Sequence, residues 1–340
     1  MKRHALPLVL VATASLAAEP SVLERAQQVF KPLPAQFDSE ANAITKEKVA
    51  LGKLLFFDRR LSKNHDVSCD SCHDLNKYGV DGAPTSTGHR KQRGDRNAPT
   101  VYNAGAHVAQ FWDGRAASLE EQAKGPLLNP LEMAMKDAAA VEAVVVSIPG
   151  YEPLFKKAFP DDPKPITYDN LAKAIGAYER TLVTPSRFDR FLDGDAAALT
   201  QPEQAGLKTF MEVGCVTCHN GPAVGGGMFQ KLGMALPYPG LKDEGRVKVT
   251  KIETDRFNFK VPSLRNVDKT GPYLHDGSVR TLGEMVTLMA HYQLGKTLGK
   301  DEVSSIVSFL KALTGTLPKQ AIVPPKALPS GKTTPKPDPT

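Results

Sequence analysis

The sequence predicts a mainly α-helical chain made of two related domains with few short strands. Three observations lead there. Two matching blocks, Cys69-Asp70-Ser71-Cys72-His73 and Cys215-Val216-Thr217-Cys218-His219, use all four cysteines of the 340-residue chain. An internal repeat runs at one offset: Pro99/Pro262, Asn103/Asn266, Asp113/Asp276, Gly114/Gly277, Leu119/Leu282 and Glu121/Glu284 are each 163 residues apart. Helix-start patterns recur with the repeat, as Ser118-x-x-Glu121 and Thr281-x-x-Glu284, and a third, Thr200-x-x-Glu203, precedes the second cysteine block.

Taken in order, residues 1–18 read as a signal peptide. Met1-Lys2-Arg3-His4 is a basic start, residues 5–17 are apolar, and Ser15-Leu16-Ala17 or Leu16-Ala17-Ala18 offers a small-x-small cleavage site. The apolar run is too short to span a bilayer, so an uncleaved anchor is the lesser alternative. Apolar periodicity predicts helices over 45–57, 137–147, 167–182, 201–212, 282–293 and 301–313. Residues 221–227 and 236–245 are Gly- and Pro-rich loops, and the second is expected to pair as short strands with 247–252. A boundary near Thr184–Ser186 separates a first domain, 19–184, from a second, 185–317, with a C-terminal segment able to pack back on the first. Residues 318–340 are Pro- and Lys-rich with few large apolar groups and read as a flexible tail.

The formal charge of +6 falls to +4 once Lys2 and Arg3 leave with the signal. No basic stripe with interleaved aromatics is present, so nucleic acid is not an expected partner. No later segment reaches the roughly 20 apolar residues of a membrane span, so the mature chain is expected to be exported without one.

Four cysteines in an exported chain ordinarily suggest disulfides. Here each pair is C-x-x-C followed directly by His, the pattern for covalent haem c attachment: both thiols form thioethers and the histidine ligates iron. A zinc site would not need His after each pair, and a redox C-x-x-C would rarely be duplicated with it. The expected fold is therefore two cytochrome c-like domains, each with one covalently bound haem c. Cys69, Cys72, Cys215 and Cys218 are the attachment points, and His73 and His219 the proximal ligands.

The sixth ligand decides whether a haem only relays electrons or opens to a substrate. Candidates in the first half are His65, His89, His107, Met133 and Met135. Those in the second are Met228, Met234, Met285, Met289, His275 and His291.

Phe111-Trp112-Asp113-Gly114-Arg115, Pro272-Tyr273-Leu274-His275-Asp276-Gly277 and Met289-Ala290-His291-Tyr292-Gln293-Leu294-Gly295 sit in order between and beyond the haem blocks. With those blocks, they make the chain resemble, from about Ala50 to Leu313, the bacterial dihaem cytochrome c peroxidases, a family that includes the methylamine-utilisation dihaem enzymes. The resemblance implies that His89 is the displaceable distal ligand of an N-terminal, peroxidatic haem. It implies that Met289, with Met285 one turn earlier as local rival, closes a C-terminal electron-transfer haem. The methylamine-utilisation branch has Tyr there instead. By the same resemblance Glu132 is the acid–base, Gln122 the pocket amide and Trp112 a residue between the haems. Asn97, Thr270 and Pro272 match the positions of a calcium site.

The resemblance further implies a periplasmic enzyme, often a homodimer, that reduces hydrogen peroxide with electrons from a small cytochrome c or a cupredoxin. The rival expectations are a non-enzymatic dihaem electron carrier and a dihaem oxidase acting on a protein side chain. His275, at the position pseudo-equivalent to Trp112, is expected to contact haem or the domain interface.

Overall fold

The computed structural model describes residues 19–340; the expected signal peptide lies outside the described residues. The chain is mainly helical. Helices run over Lys46–Phe57, Ala138–Val146, Tyr168–Glu179, Gln201–Val213, Leu282–Leu294 and Lys300–Ala312, close to the periodicity reading. Ser118 and Thr281 each accept from the amide three residues on, at 3.2 Å in both cases. At Thr200 the box closes fully, because the Glu203 carboxylate also accepts from the Thr200 N–H at 2.8 Å. These bonds satisfy amides that have no partner inside the helix.

The two halves repeat one packing device. The helix ahead of each cysteine block crosses a later helix of its own half at a glycine. A Cβ on Gly52 would lie 1.9 Å from the Ala174 carbonyl oxygen, and one on Gly206 would lie 2.0 Å from that of Ser305. Only a residue without Cβ lets these backbones approach. The first core gathers Leu51, Leu55, Phe56, Tyr102, Phe155 and Tyr178 around that crossing, and the second gathers Phe188, Leu207, Phe210, Ile306 and Phe309.

Three expectations change. Strands do form, but Phe229–Lys231 pairs antiparallel with Asn258–Lys260, Gln230 opposite Phe259. Residues 236–245 stay irregular and Val247–Thr250 is a helical turn. Pro237 and Pro239 remove ladder donors from the loop, and Gly245, at φ +65°, lies against the Asn258 carbonyl.

The chain start does not stay with the first half. Helix Val22–Val29 and Phe30 pack into the second core, with Phe30 edge-on to Phe188.

The expected free tail instead lies along the first half. Arg60 donates to the Leu328 carbonyl at 2.8 Å, Ser147 to the Thr334 hydroxyl at 3.0 Å, and the Asp338 amide to the Lys63 carbonyl at 3.0 Å. Leu317, Ala321, Ile322 and Leu328 pack on the first core. Within the tail itself Ala321, Ile322 and Leu328 supply the apolar side of this contact, beside the hydrogen bonds to Arg60, Ser147 and Lys63. Among the described residues no single helix is long and apolar enough to cross a membrane.

Two candidate haem cavities meeting at Trp112

Cys69–Cys72 forms one helical turn and Cys215–Thr217 a tighter 3-10 turn. The His73 amide donates to the Cys69 carbonyl at 2.9 Å and the His219 amide to the Cys215 carbonyl at 3.0 Å. Each imidazole is then held by a second contact. His73 Nδ1 lies 3.3 Å from the Gly79 carbonyl, and His219 Nδ1 lies 3.4 Å from that of Val224. A carbonyl at Nδ1 fixes the proton there and leaves the Nε2 lone pair for a metal.

Both histidines wall cavities. One, of about 840 Å³, is lined by Cys72, His73, Gln122 and Glu132 among others. The second, of about 210 Å³, is lined by Cys215, Cys218, His219, Met285 and Met289 among others. Burial pushes His219 down to about 4 and His73 in the same direction, so both are neutral bases near pH 7. Burial pushes Cys72 and Cys215 up to about 11, which keeps them as thiols. Cys69 packs against the first core. A neutral imidazole with a free Nε2 beside paired thiols at a cavity wall is the donor set that haem c requires. The residues present fit that group at both blocks.

In the first cavity Glu132 accepts from the Asn129 side-chain amide at 2.8 Å. Burial raises its pKa above the ordinary carboxyl value, against the pull of the Arg115 cation and the Asn129 bond. Gln122, Arg115 and Trp112 share the same wall.

The His89 backbone is docked on the Glu132 turn, its amide donating to the Glu132 carbonyl at 2.8 Å. Gly88 makes the docking possible, since a Cβ there would sit 2.2 Å from the Leu131 carbonyl oxygen. The His89 ring is 4% exposed, and neither of its nitrogens has a hydrogen-bond partner among the described residues. Gly88 and Ser86 line the first cavity, whereas the His89 side chain is not part of its wall.

The other first-half candidates fall elsewhere. Met133 is in the first core, Met135 packs at its edge, and His65 is a half-buried turn residue at φ +53°. His107 lines the second cavity rather than the first.

Trp112, His275 and Asn97 line both cavities. Trp112 Nε1 donates to the Asn97 carbonyl at 2.9 Å, and the Asn97 amide donates to the His275 carbonyl at 2.7 Å. The Trp112 and His275 rings lie edge to face, 6.4 Å between centroids. They occupy equivalent places in two matching bridges, Gln110 with Ala116 and Tyr273 with Val279. Arg96 ties the halves together across this junction, with Asp113 and Asp243 each 2.6 Å away.

Asn97, Thr270 and Pro272 all line the second cavity. The Asn97 side-chain amide donates to the Ala83 carbonyl at 3.0 Å, so its Oδ1 is left as an oxygen donor. Among the described residues no group of three or more His, Cys, Asp or Glu could hold a metal ion, so any calcium would rest on neutral oxygens. Of the second-half methionines, Met285 and Met289 line the cavity, while Met228 and Met234 are exposed, as is His291.

Sequence reasoning missed Arg96, Asp243, Glu179 and Lys260, all of which line a cavity. Arg96 and Asp243 are 147 residues apart and follow no spacing rule. Glu179 is pushed up to about 8 by burial.

The family model for di-haem cytochrome c peroxidase matches residues 46–197. A cytochrome c551 peroxidase of Nitrosomonas europaea is 51% identical over 290 residues, covering 83% of this chain and 86% of that protein. A cytochrome c551 peroxidase of Pseudomonas aeruginosa is 45% identical over 339 residues, covering 97% and 96%. The crystal structure of a MauG-like protein associated with microbial copper homeostasis superposes with a TM-score of 0.74 at 29% identity, covering 87% of this chain and 96% of that one. With likeness at this level over nearly the whole length, and with a C-x-x-C-H histidine facing each cavity, the chain belongs to the di-haem cytochrome c peroxidase family and is a cytochrome-c peroxidase.

Proposed function

We propose that the chain reduces hydrogen peroxide at the first cavity, in the periplasm, with electrons that enter through the second from a small cytochrome c or a cupredoxin. Peroxide, two protons and two electrons give two waters, and two one-electron donors are oxidised. Haem c held by Cys69, Cys72 and His73, and by Cys215, Cys218 and His219, supplies the iron redox chemistry. The observation that carries the reading is an asymmetry between the cavities. The first is walled by a carboxyl, Glu132, and an amide, Gln122, whereas among the described residues the second has no acidic side chain in its wall.

Glu132 takes a proton from one peroxide oxygen and returns it to the leaving oxygen; its raised pKa suits both directions. The Gln122 amide orients peroxide and polarises the O–O bond. Met289, in the wall of the second cavity, would hold the iron of a haem bound there through its thioether, which would give that site the higher potential. His89 would be the displaceable ligand of a haem in the first cavity. Two buried, unpaired ring nitrogens cost roughly 1–3 kcal/mol each, so His89 gains by reaching a partner in the cavity. Trp112, bonded to Asn97 between the cavities, lies on the electron path. Asn97 Oδ1 and the Thr270 and Pro272 carbonyls are the proposed calcium ligands. A homodimer is the proposed assembly.

The test is steady-state turnover of reduced cytochrome c with peroxide. Glu132→Gln is expected to cut it by roughly 10²–10⁴ while both haems remain attached. Undiminished turnover in that variant would sink the reading.

A further inference from the structure

Lys260 is 4% exposed and lines the second cavity. Its Nζ lies 3.2 Å from His107 Nδ1. Among the described residues no carboxylate belongs to the wall of that cavity, and Lys260 is its only formally charged side chain. Burial alone moves the ammonium down, to about 8, without an anion to offset it. Near pH 7 it therefore remains a cation in a site that supplies no counter-charge. A buried charge in that position is costly unless an opposite charge reaches it.

His107 adds a second donor. With Nδ1 accepting from Lys260, its proton sits on Nε2, which is buried and has no partner among the described residues. Burial and the neighbouring Lys260 cation hold the ring well below its ordinary pKa, so it stays neutral. An ammonium and an unpaired imidazole N–H, 153 residues apart in the chain, thus sit side by side in a wall that, among the described residues, holds no acidic side chain. That pair is built to receive a carboxylate.

We propose that Lys260 and His107 form the carboxylate site of the second cavity and hold a propionate of the haem bound there. The proposal rests on the reading that Cys215, Cys218 and His219 carry haem. The cavity supplies no acid of its own, so the anion must come with the occupant, and haem brings two propionates. Lys260 also places a positive charge beside that centre and favours its reduced state. This adds to whatever Met289 contributes. The strand Asn258–Lys260 delivers the lysine, and its amide is pinned to the Trp112 carbonyl at 2.7 Å. The anion site is therefore fixed to the junction between the cavities.

The experiment uses the full holoprotein with haem content counted first. Resonance Raman reports the propionate bending bands of the ferrous second centre, and spectroelectrochemistry reports its reduction equilibrium. Lys260→Met is expected to shift a propionate band and weaken reduction of that centre by about tenfold, as loss of a unit charge several ångströms away implies. Lys260→Arg is expected to keep both near wild type. His107→Gln is expected to shift the band with a smaller change in reduction; it carries the same test if Lys260→Met does not accumulate. Unmoved bands and an unmoved equilibrium in variants retaining two haems would overturn the proposal and leave the haem reading intact. A wild-type protein with no haem at Cys215 and Cys218 would overturn that reading instead.

Discussion

Asn103 and Asn266, equivalent residues of the repeat, both donate their side-chain amides to a single oxygen, Thr184 Oγ1, at 2.8 and 2.9 Å. Both are fully buried and both adopt left-handed backbone, at φ +59° and +62°. Thr184 returns its own amide to Asn103 Oδ1, and the Gly315 amide donates to Asn266 Oδ1. The threonine at the boundary between halves is therefore the shared keystone of two copies of one turn. Thr184→Val keeps the shape and removes the acceptor from both amides. We expect a loss of roughly 2–4 kcal/mol, on the order of 1–3 per unpaired buried amide less some relaxation. Thermal unfolding of the holoprotein measures it, and an unchanged midpoint would show that the two turns do not depend on this oxygen.

Glu132 predicts a pH profile. Desolvation raises its pKa above 4.5, and the Arg115 cation and the Asn129 bond oppose the rise. The ionised form accepts the first proton, so turnover should fall as pH drops through the raised value, with an acid limb above pH 4.5. Arg115→Gln removes an opposing charge and should move the limb to higher pH. Movement to lower pH, or none, would mean that another group controls the limb.

Met285 and Met289 share one helix and one cavity wall, four residues apart. Met289→Ala is expected to abolish the thioether-to-iron charge-transfer band of the second centre and lower its potential. Met285→Ala is expected to retain the band, costing about 2–3 kcal/mol of stability at most through lost packing. A reversed pattern in oxidised-state absorption spectra would exchange their roles.

The C-terminal segment predicts a stability difference between halves. Deleting residues 324–340 removes the Leu328 packing and the bonds to Arg60, Ser147 and Lys63. We expect a loss of about 1–3 kcal/mol, with faster hydrogen exchange confined to residues 58–63 and 147–151. Equal exchange in the deleted and full-length proteins would mean the segment contributes nothing there.

Much of this molecule is local and therefore readable along the chain. The C-x-x-C-H pattern occupies five consecutive residues, so Cys69 to His73 and Cys215 to His219 can be read as haem-attachment motifs without a fold. Helix periodicity and caps act over three or four residues, and the six periodic helices appear within a few residues of where the pattern places them. The repeat offset foretold the equivalence of Trp112 and His275, and the structure sets the two rings edge to face.

The contacts that escaped the sequence depend on pairs with no spacing rule. Phe30 joins Phe188, Arg96 reaches Asp243 and Lys260 meets His107, because side-chain contact and charge pairing act through space. The same holds for strand choice: a three-residue ladder is too short to carry a period, and two prolines excluded the neighbouring loop. Covalent motifs and helical turns were thus decided by the order of residues. Which side chains share each cavity, and whether a buried charge there finds its partner, was decided only when distant segments closed on one another and excluded water.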